Sequence, residues 1–465
     1  MKQITLYTNF QYFTEVEDVA KLFFNVASTQ DQNADLTLVA DTIGNLFVAK
    51  CTFDGKTVTK SVHLPLDDHL QAVRLCKRYA KIATYECLKA ATGKSMPWGS
   101  LTGIRPTKLA CQLASEGGNY IDDFTRLFDV SDDKVRLVTQ ILKQQEPMRH
   151  NANNGVDLYV GIPFCVSRCT YCSFTGGEIA RLSKYVDGFV DTLCYELKQT
   201  LDFLKNKGIA VNNVYFGGGT PTALEVEHLQ KILSCIKFQP REYCIEAGRP
   251  DTITKEKLDL FARFGVNRIS VNPQTFNQQT LDLIGRKHSV EQIFEAYKLA
   301  RQYDFLINMD LIAGLPGESY DMFCSSVDQA IALLPDNLTV HTLAIKNGSL
   351  LKHQLHEGSF DVKKMVQYAH DKALKNGYLP YYMYRQKYMS ENLENVGFCK
   401  EGTVCAYNVN NMEEIASIVA CGANAISKRV FDGENRIERA ANPKDVITYI
   451  NRIDDFVAKK KQLFS

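Results

Sequence analysis

What this 465-residue chain lacks narrows it first. No segment approaches the ~20 consecutive apolar residues needed to cross a bilayer. No charge of one sign dominates: 54 basic against 53 acidic residues leave a formal net charge of +1. That balance gives no field to gather nucleic acid or an anionic membrane. The run Lys459-Lys460-Lys461 then reads as a solvated helix end. The start, MKQITLYTNFQYF, lacks the charged and apolar regions of a secretory leader. The expectation is a cytoplasmic protein with neither a membrane span nor a nucleic-acid partner.

Cysteine is plentiful by contrast. Fourteen are many for a compartment that keeps thiols reduced. Most, such as Cys51, Cys87, Cys194 and Cys324, are scattered singly and read as small buried hydrophobes. Only Cys165, Cys169 and Cys172 cluster, in YVGIPFCVSRCTYCSF at 159–174.

The pattern along the chain changes twice. Residues 1 to about 64 alternate in the manner of strands, with turns at IGN and FDGK. Helices are expected over 67–93 and 120–146, and 1–150 reads as an α+β domain of unknown role. From 155 to 375 the chain alternates strand and helix. DLYVGIPF, NNVYFGGGT, EYCIEAG, NRISVNPQ, INMDLIAGLP and NLTVHTLAI are the strands. Six such units predict an α/β fold with a parallel sheet, as a partial (βα)6 barrel or an open sheet. The unusual polar residues fall at strand C-termini, where barrels build their sites. Residues 376–465 read as a small C-terminal cap on the substrate side.

The C-x₃-C-x₂-C cluster admits three readings. One is buried thiols. A second is structural zinc, which wants four ligands, usually as two Cys or His pairs; no second pair stands nearby. The third is an iron–sulfur cluster, held by cysteine thiolates, normally four. Three would leave one iron of a [4Fe–4S] cube open to a small molecule.

Downstream residues bear on the choice. GGGTP, Gly217–Pro221, ends the second strand with backbone that a ligand can approach closely. Glu246 ends the third strand, Gln274 the fourth, and Asp310 lies on the fifth; Arg286 follows in LIGRKH. Read alone, Gln274 could cap a helix and Arg286 could be a solvated charge. Together they offer a cation for a carboxylate and acceptors for ribose hydroxyls.

This constellation resembles the radical S-adenosylmethionine (SAM) superfamily and, within it, the oxygen-independent coproporphyrinogen III oxidase family. The match covers about 157–345. WGSLTGIRPTK, YYMYRQKYMSENLENVG and the N-terminal extension are similar to the bacterial coproporphyrinogen dehydrogenase branch. The resemblance implies a radical SAM partial barrel, with Cys165, Cys169 and Cys172 holding a [4Fe–4S] cluster whose open iron takes SAM. It implies cluster and SAM contacts from Tyr159, Tyr171, Gly218, Gly219, Thr220, Glu246, Gln274, Arg286, Asp310 and, more loosely, Ala344, with one or two SAM molecules bound. Arg286 is expected at a SAM carboxylate, and Gln274 and Asp310 at ribose. The implied reaction is oxidative decarboxylation of coproporphyrinogen III propionates to vinyls, with a one-electron donor such as flavodoxin or ferredoxin. Arg385 and Lys387, in YYMYRQKY, read either as propionate cations or as part of an amphipathic strand of the cap.

The chain departs from its relatives in three places. Phe174 stands where the family oxidase has a further cysteine. Asn272-Pro273 precedes Gln274 where relatives carry Gly-Val. A haem-binding relative carries a His-Asn pair where this chain reads Ser390-Glu391-Asn392-Leu393.

Overall fold

The computed structural model describes residues 2–103, 105–149, 155–172, 174, 176–344, 349, 351, 361–386, 389, 392–431 and 436–465. These divide into two compact units. The first holds 1–139 with 385–387 and 391–393; the second holds 140–384, 388–390 and 394–465.

In the first unit five strands form one sheet: β1 (Gln3–Thr8), β2 (Asn25–Ser28), β3 (Leu36–Ile43), β4 (Leu46–Phe53) and β5 (Lys56–His63), in the order β2-β1-β3-β4-β5. The helix His69–Thr92 covers it, started by Asp68 accepting from Gln71 N–H and stopped by left-handed Gly93. Leu6, Leu36, Leu38, Phe47, Ala83, Tyr85 and Leu88 fill the space between. The helix expected over 120–146 is broken. Turns at Tyr120–Asp122 and Asp123–Leu127 precede the helix Asp132–Arg149. Asp129 takes a φ of 59° at the break, where its carboxylate receives Lys89 and the Tyr85 hydroxyl.

The second unit is built on an eleven-stranded sheet. Its centre is the expected series of six parallel strands: β6 (Val156–Ile162), β9 (Val211–Gly218), β10 (Glu242–Ile245), β11 (Arg268–Ser270), β12 (Leu306–Ala313) and β13 (Asn337–Thr342). The short strands β7 (Phe164–Cys165) and β8 (Gly177–Glu178) pair separately. Near-continuous apolar runs suit strands covered on both faces, and β6 is buried at six of its seven residues. Helices follow each strand, such as Val186–Asn206 after β6 and Val226–Leu233 after β9.

Residues 376–465, expected as a cap, supply strands to both sides of this series. β14 (Leu379–Tyr384) and β15 (Asn395–Cys399) join antiparallel at β13. β16 (Ser417–Gly422) lies parallel to β6, followed by β17 (Ile426–Val430) and β18 (Ile437–Ala441). The order β14-β15-β13-β12-β11-β10-β9-β6-β16-β17-β18 is open among the described residues. A buried ionic knot fastens the last helix, Ile453–Leu463. Lys460 Nζ lies 2.5 Å from Glu196 Oε1, and Glu196 Oε2 accepts from Tyr449 Oη at 2.5 Å and Gly422 N–H at 2.7 Å.

Candidate functional site

The cysteine loop leaves β6 through Pro163 and is held on three sides. Its Thr170 N–H donates to Ile284 O at 3.0 Å. Ser167 Oγ donates to Gly285 O at 3.2 Å and accepts from Arg249 Nη1 at 2.9 Å. Arg249 is itself fixed by Asp251, with Nε and Nη2 on the two carboxylate oxygens at 2.9 and 2.7 Å. Sequence reasoning passed over Arg249, which follows EYCIEAG. No spacing rule marks a guanidinium that reaches back two strands of the series to the cysteine loop.

The glycine run at the end of β9 abuts the loop. Gly219 N–H donates to Ile162 O and Thr220 N–H to Phe164 O, both at 2.7 Å. A β-carbon on Gly219 would stand 2.4 Å from Phe164 O and 2.9 Å from Cys165 Sγ. Gly218 has a φ of 108° and is overlaid by Phe174, whose Cζ would lie 3.3 Å from an added β-carbon. Glycine is thus required twice, for contact and for backbone conformation. Thr220 Oγ1 lies 3.7 Å from Cys165 Sγ and donates to it.

The surroundings of Cys165 pull its thiol in opposite directions. Burial pushes Cys165 up to about 11; Thr220 and Arg249 pull it down, while Cys169 and Cys172 push it further up. No three His, Cys, Asp or Glu side chains among the described residues converge on a single ion. A cube, in which each thiolate takes its own iron, does not ask for such convergence.

Tyr171 turns from the loop onto Ile284, Leu315 and Leu343. Burial raises its hydroxyl, the thiols of Cys169 and Cys172 adding to the effect and Arg286 opposing it. Arg286 is buried rather than solvated, 4 % exposed. Its Nη1 donates to Asn272 O at 2.9 Å and its Nη2 to Gly248 O at 2.7 Å. Nε is buried without a hydrogen-bond partner, as are Thr170 Oγ1 and Asn272 Oδ1. Unpartnered polar atoms gathered beside a thiol loop fit a polar ligand there.

On the other side of the glycine run lies a second group. Tyr159, Tyr215 and Tyr407 stack, with the last two centroids 4.3 Å apart. Tyr215 Oη donates to Glu246 Oε1 at 2.5 Å. Burial raises the Glu246 carboxyl to about 7; Tyr215 opposes this and Asp310 adds to it. Asp310 sits inside β12 rather than at its end. Burial would raise its carboxyl, but His341, Asn308 and Thr339 outweigh that and hold it below the ordinary range. His341 Nε2 is 3.7 Å from Asp310 Oδ2, and Asn308 Nδ2 donates to Oδ1 at 2.7 Å. Gln274 takes a φ of 68°, donates its N–H to Asp310 O and accepts from Ile312 N–H. Ala344 bridges to Met389 beyond the end of β13. Tyr215, His341 and Tyr407 were not singled out in the sequence. Only their place on β9, β13 and the helix Ala406–Glu413 brings them here.

Arg385 is a correction. In the first unit its Nη1 donates to Leu101 O at 2.6 Å and its Nη2 to Asn392 Oδ1 at 2.6 Å, with Trp98 beneath. Those partners claim the guanidinium, which is no free cation for a propionate. Lys387, Ser390 and Glu391 lie outside the described residues.

Residues 159–330 match the family model of the radical SAM superfamily. Over 407 residues the chain is 37% identical to the oxygen-independent coproporphyrinogen-III oxidase-like protein HemZ of Bacillus subtilis, covering 84% of this chain and 81% of that protein. This chain belongs to the radical SAM coproporphyrinogen oxidase-like family. Membership implies a [4Fe–4S] cluster and SAM. The haem chaperone HemW of B. subtilis is 32% identical over 218 residues, 45% of this chain and 56% of its own length. The structure of coproporphyrinogen III oxidase HemN from Escherichia coli overlays with a TM-score of 0.53 at 22% identity, over 67% of this chain and 72% of that one. That likeness speaks to the shared fold.

Proposed function

We propose that this chain is a radical SAM oxidoreductase that converts propionates of coproporphyrinogen III to vinyls, giving protoporphyrinogen IX for haem synthesis. The observation that carries the reading is the glycine run. Gly219 in it abuts the cysteine loop, while an added β-carbon on Gly217 would come within 3.1 Å of the Glu246 carboxylate. The name of the HemZ relative supports the substrate class.

In this reading Cys165, Cys169 and Cys172 hold the cluster, and Thr220 and Arg249 steady the loop. Gly218, Gly219 and Glu246 face the amine end of SAM, Arg286 its carboxylate, and Gln274 and Asp310 its ribose. Tyr159 and Tyr171 wall the site against water, and Ala344 lines it. When bound, cluster and SAM supply a one-electron reductive cleavage that yields a hydrogen-abstracting carbon radical. Each propionate then loses a hydrogen atom from its β-carbon, one carbon dioxide, and one electron to an acceptor. Reducing electrons enter from a donor of the flavodoxin or ferredoxin class.

The HemW similarity favours a second reading, a haem-binding chaperone. Anaerobic incubation with SAM, dithionite and coproporphyrinogen III, followed by product mass, separates the two. Loss of two carbon dioxide units and four hydrogen atoms per molecule supports the oxidase. Unchanged substrate together with stoichiometric haem binding sinks it.

A further inference from the structure

Away from this site, the helices Val186–Asn206 and Val226–Leu233 lie side by side and are joined at a regular spacing. Asp187 Oδ1 meets His228 Nε2 at 2.8 Å. One turn on, Asp191 pairs with Lys231. One turn further, Cys194 on the first helix and Cys235, two residues past the end of the second, line one groove and act on each other electrostatically. Positions 187, 191 and 194 share one helix face, as do 228 and 231 on the other. The first two rungs therefore set the register of the third.

The third rung is open to reagents. Both thiols are part-exposed and line a groove of about 810 Å³, walled by Tyr195, Lys198, Leu201 and Phe238. The sulfurs differ in character. The neighbouring Cys194 thiol, then Lys237 and Lys231, lower Cys235 to about 7 against the opposing effect of burial. Cys194 is raised by the same contact, by burial and by the Cys235 charge, and beyond them by Asp191, with Lys231 opposing. A nucleophilic thiolate beside a protonated thiol is the arrangement that thiol–disulfide exchange uses. Cys51 and Cys87 act on each other in the same way but are buried in the first unit's core. They make an internal control.

We propose that Cys194 and Cys235 are a redox-active dithiol that small-molecule disulfides oxidise to an intrachain disulfide. Cys235 thiolate attacks one sulfur of the small disulfide, its S–S bond breaks, and one thiolate leaves. A mixed disulfide on Cys235 results. Cys194 then loses its proton, attacks the Cys235 sulfur, and expels the second thiolate. Two protein thiols are oxidised and one small disulfide is reduced to two thiols. The product covalently joins the helices that follow β6 and β9.

The test uses the full-length chain, reconstituted anaerobically with iron and sulfide. It is treated with oxidised glutathione, blocked with N-ethylmaleimide, digested and mapped by mass spectrometry. The expected major product is a peptide pair linked between Cys194 and Cys235, with Cys51 and Cys87 left as thiols. Cys194→Ala stops the reaction at a glutathione adduct on Cys235. The same variant lowers the alkylation rate of Cys235 at pH 7 roughly tenfold or more, as its midpoint rises toward the ordinary thiol value. Separately alkylated Cys194 and Cys235, or a stable glutathione adduct in the unsubstituted chain, overturns the proposal. So does a Cys194→Ala variant that forms no glutathione adduct on Cys235.

Discussion

Tyr215 donates its hydroxyl to Glu246 across 2.5 Å, inside a stack of three tyrosines. The carboxyl this bond serves titrates near 7 rather than 4.5, because burial disfavours its charge more than Tyr215 favours it. An acid raised in the folded state binds a proton that the unfolded chain has released. Its stabilising contribution is full below about 4.5 and is lost as pH rises through about 7. Urea unfolding of cofactor-free protein at pH 5 and pH 8 reads this directly. Glu246→Gln should remove a decline on the order of 3 kcal/mol over that range. Equal pH profiles for variant and parent would contradict it.

Gly219→Ala tests the close approach at the cysteine loop. Its new methyl would stand 2.4 Å from a backbone oxygen that cannot rotate away. Overpacking of this kind costs about 1–3 kcal/mol, and here the strain falls on the residue preceding Cys165. Thermal unfolding and bound iron should both drop. Gly177→Ala, whose new methyl would meet the mobile end of Leu182, should keep its iron.

Single replacement of Cys165, Cys169 or Cys172 by Ala should strip most reconstituted iron while leaving the far-UV circular dichroism unchanged. Replacing Cys324, on the helix Tyr320–Ala332, should leave iron content at the parental value. Iron retained after loss of any one of the three would remove the ligand assignment.

Lys460→Met leaves Glu196 buried and charged among donors that are all neutral. Breaking one partner of such a pair costs about 3–5 kcal/mol. Glu196→Gln/Lys460→Met together should cost less than Lys460→Met alone. Chemical denaturation of the single and double variants gives the comparison, and simple additivity would argue against coupling.

Much of the parallel series of strands could be read from residues alone, for a physical reason. Strands covered on both faces are short apolar runs cut off by Gly, Pro and Asn, and β6, β9, β12 and β13 all have that form. The cysteine spacing and the glycine run carry chemistry in local sequence and so were visible too. Arg249, His341 and Tyr407 were not, because each acts through a partner that only the sheet order brings near. Asp129 hid for a different reason. An aspartate in left-handed conformation leaves no mark in a helical apolar pattern. Arg385 misled because a charge in an aromatic strand looks available until the carbonyls around it are known.

The neighbour of β6 on one side is β16, with Val156 opposite Ser417, more than 250 residues later in the chain. A ribosome makes the strand leading into the cysteine loop long before it makes the strand that shields it. Until then β6 offers a bare edge to any passing chain. A cluster inserted before β16 is made would therefore meet an unfinished sheet.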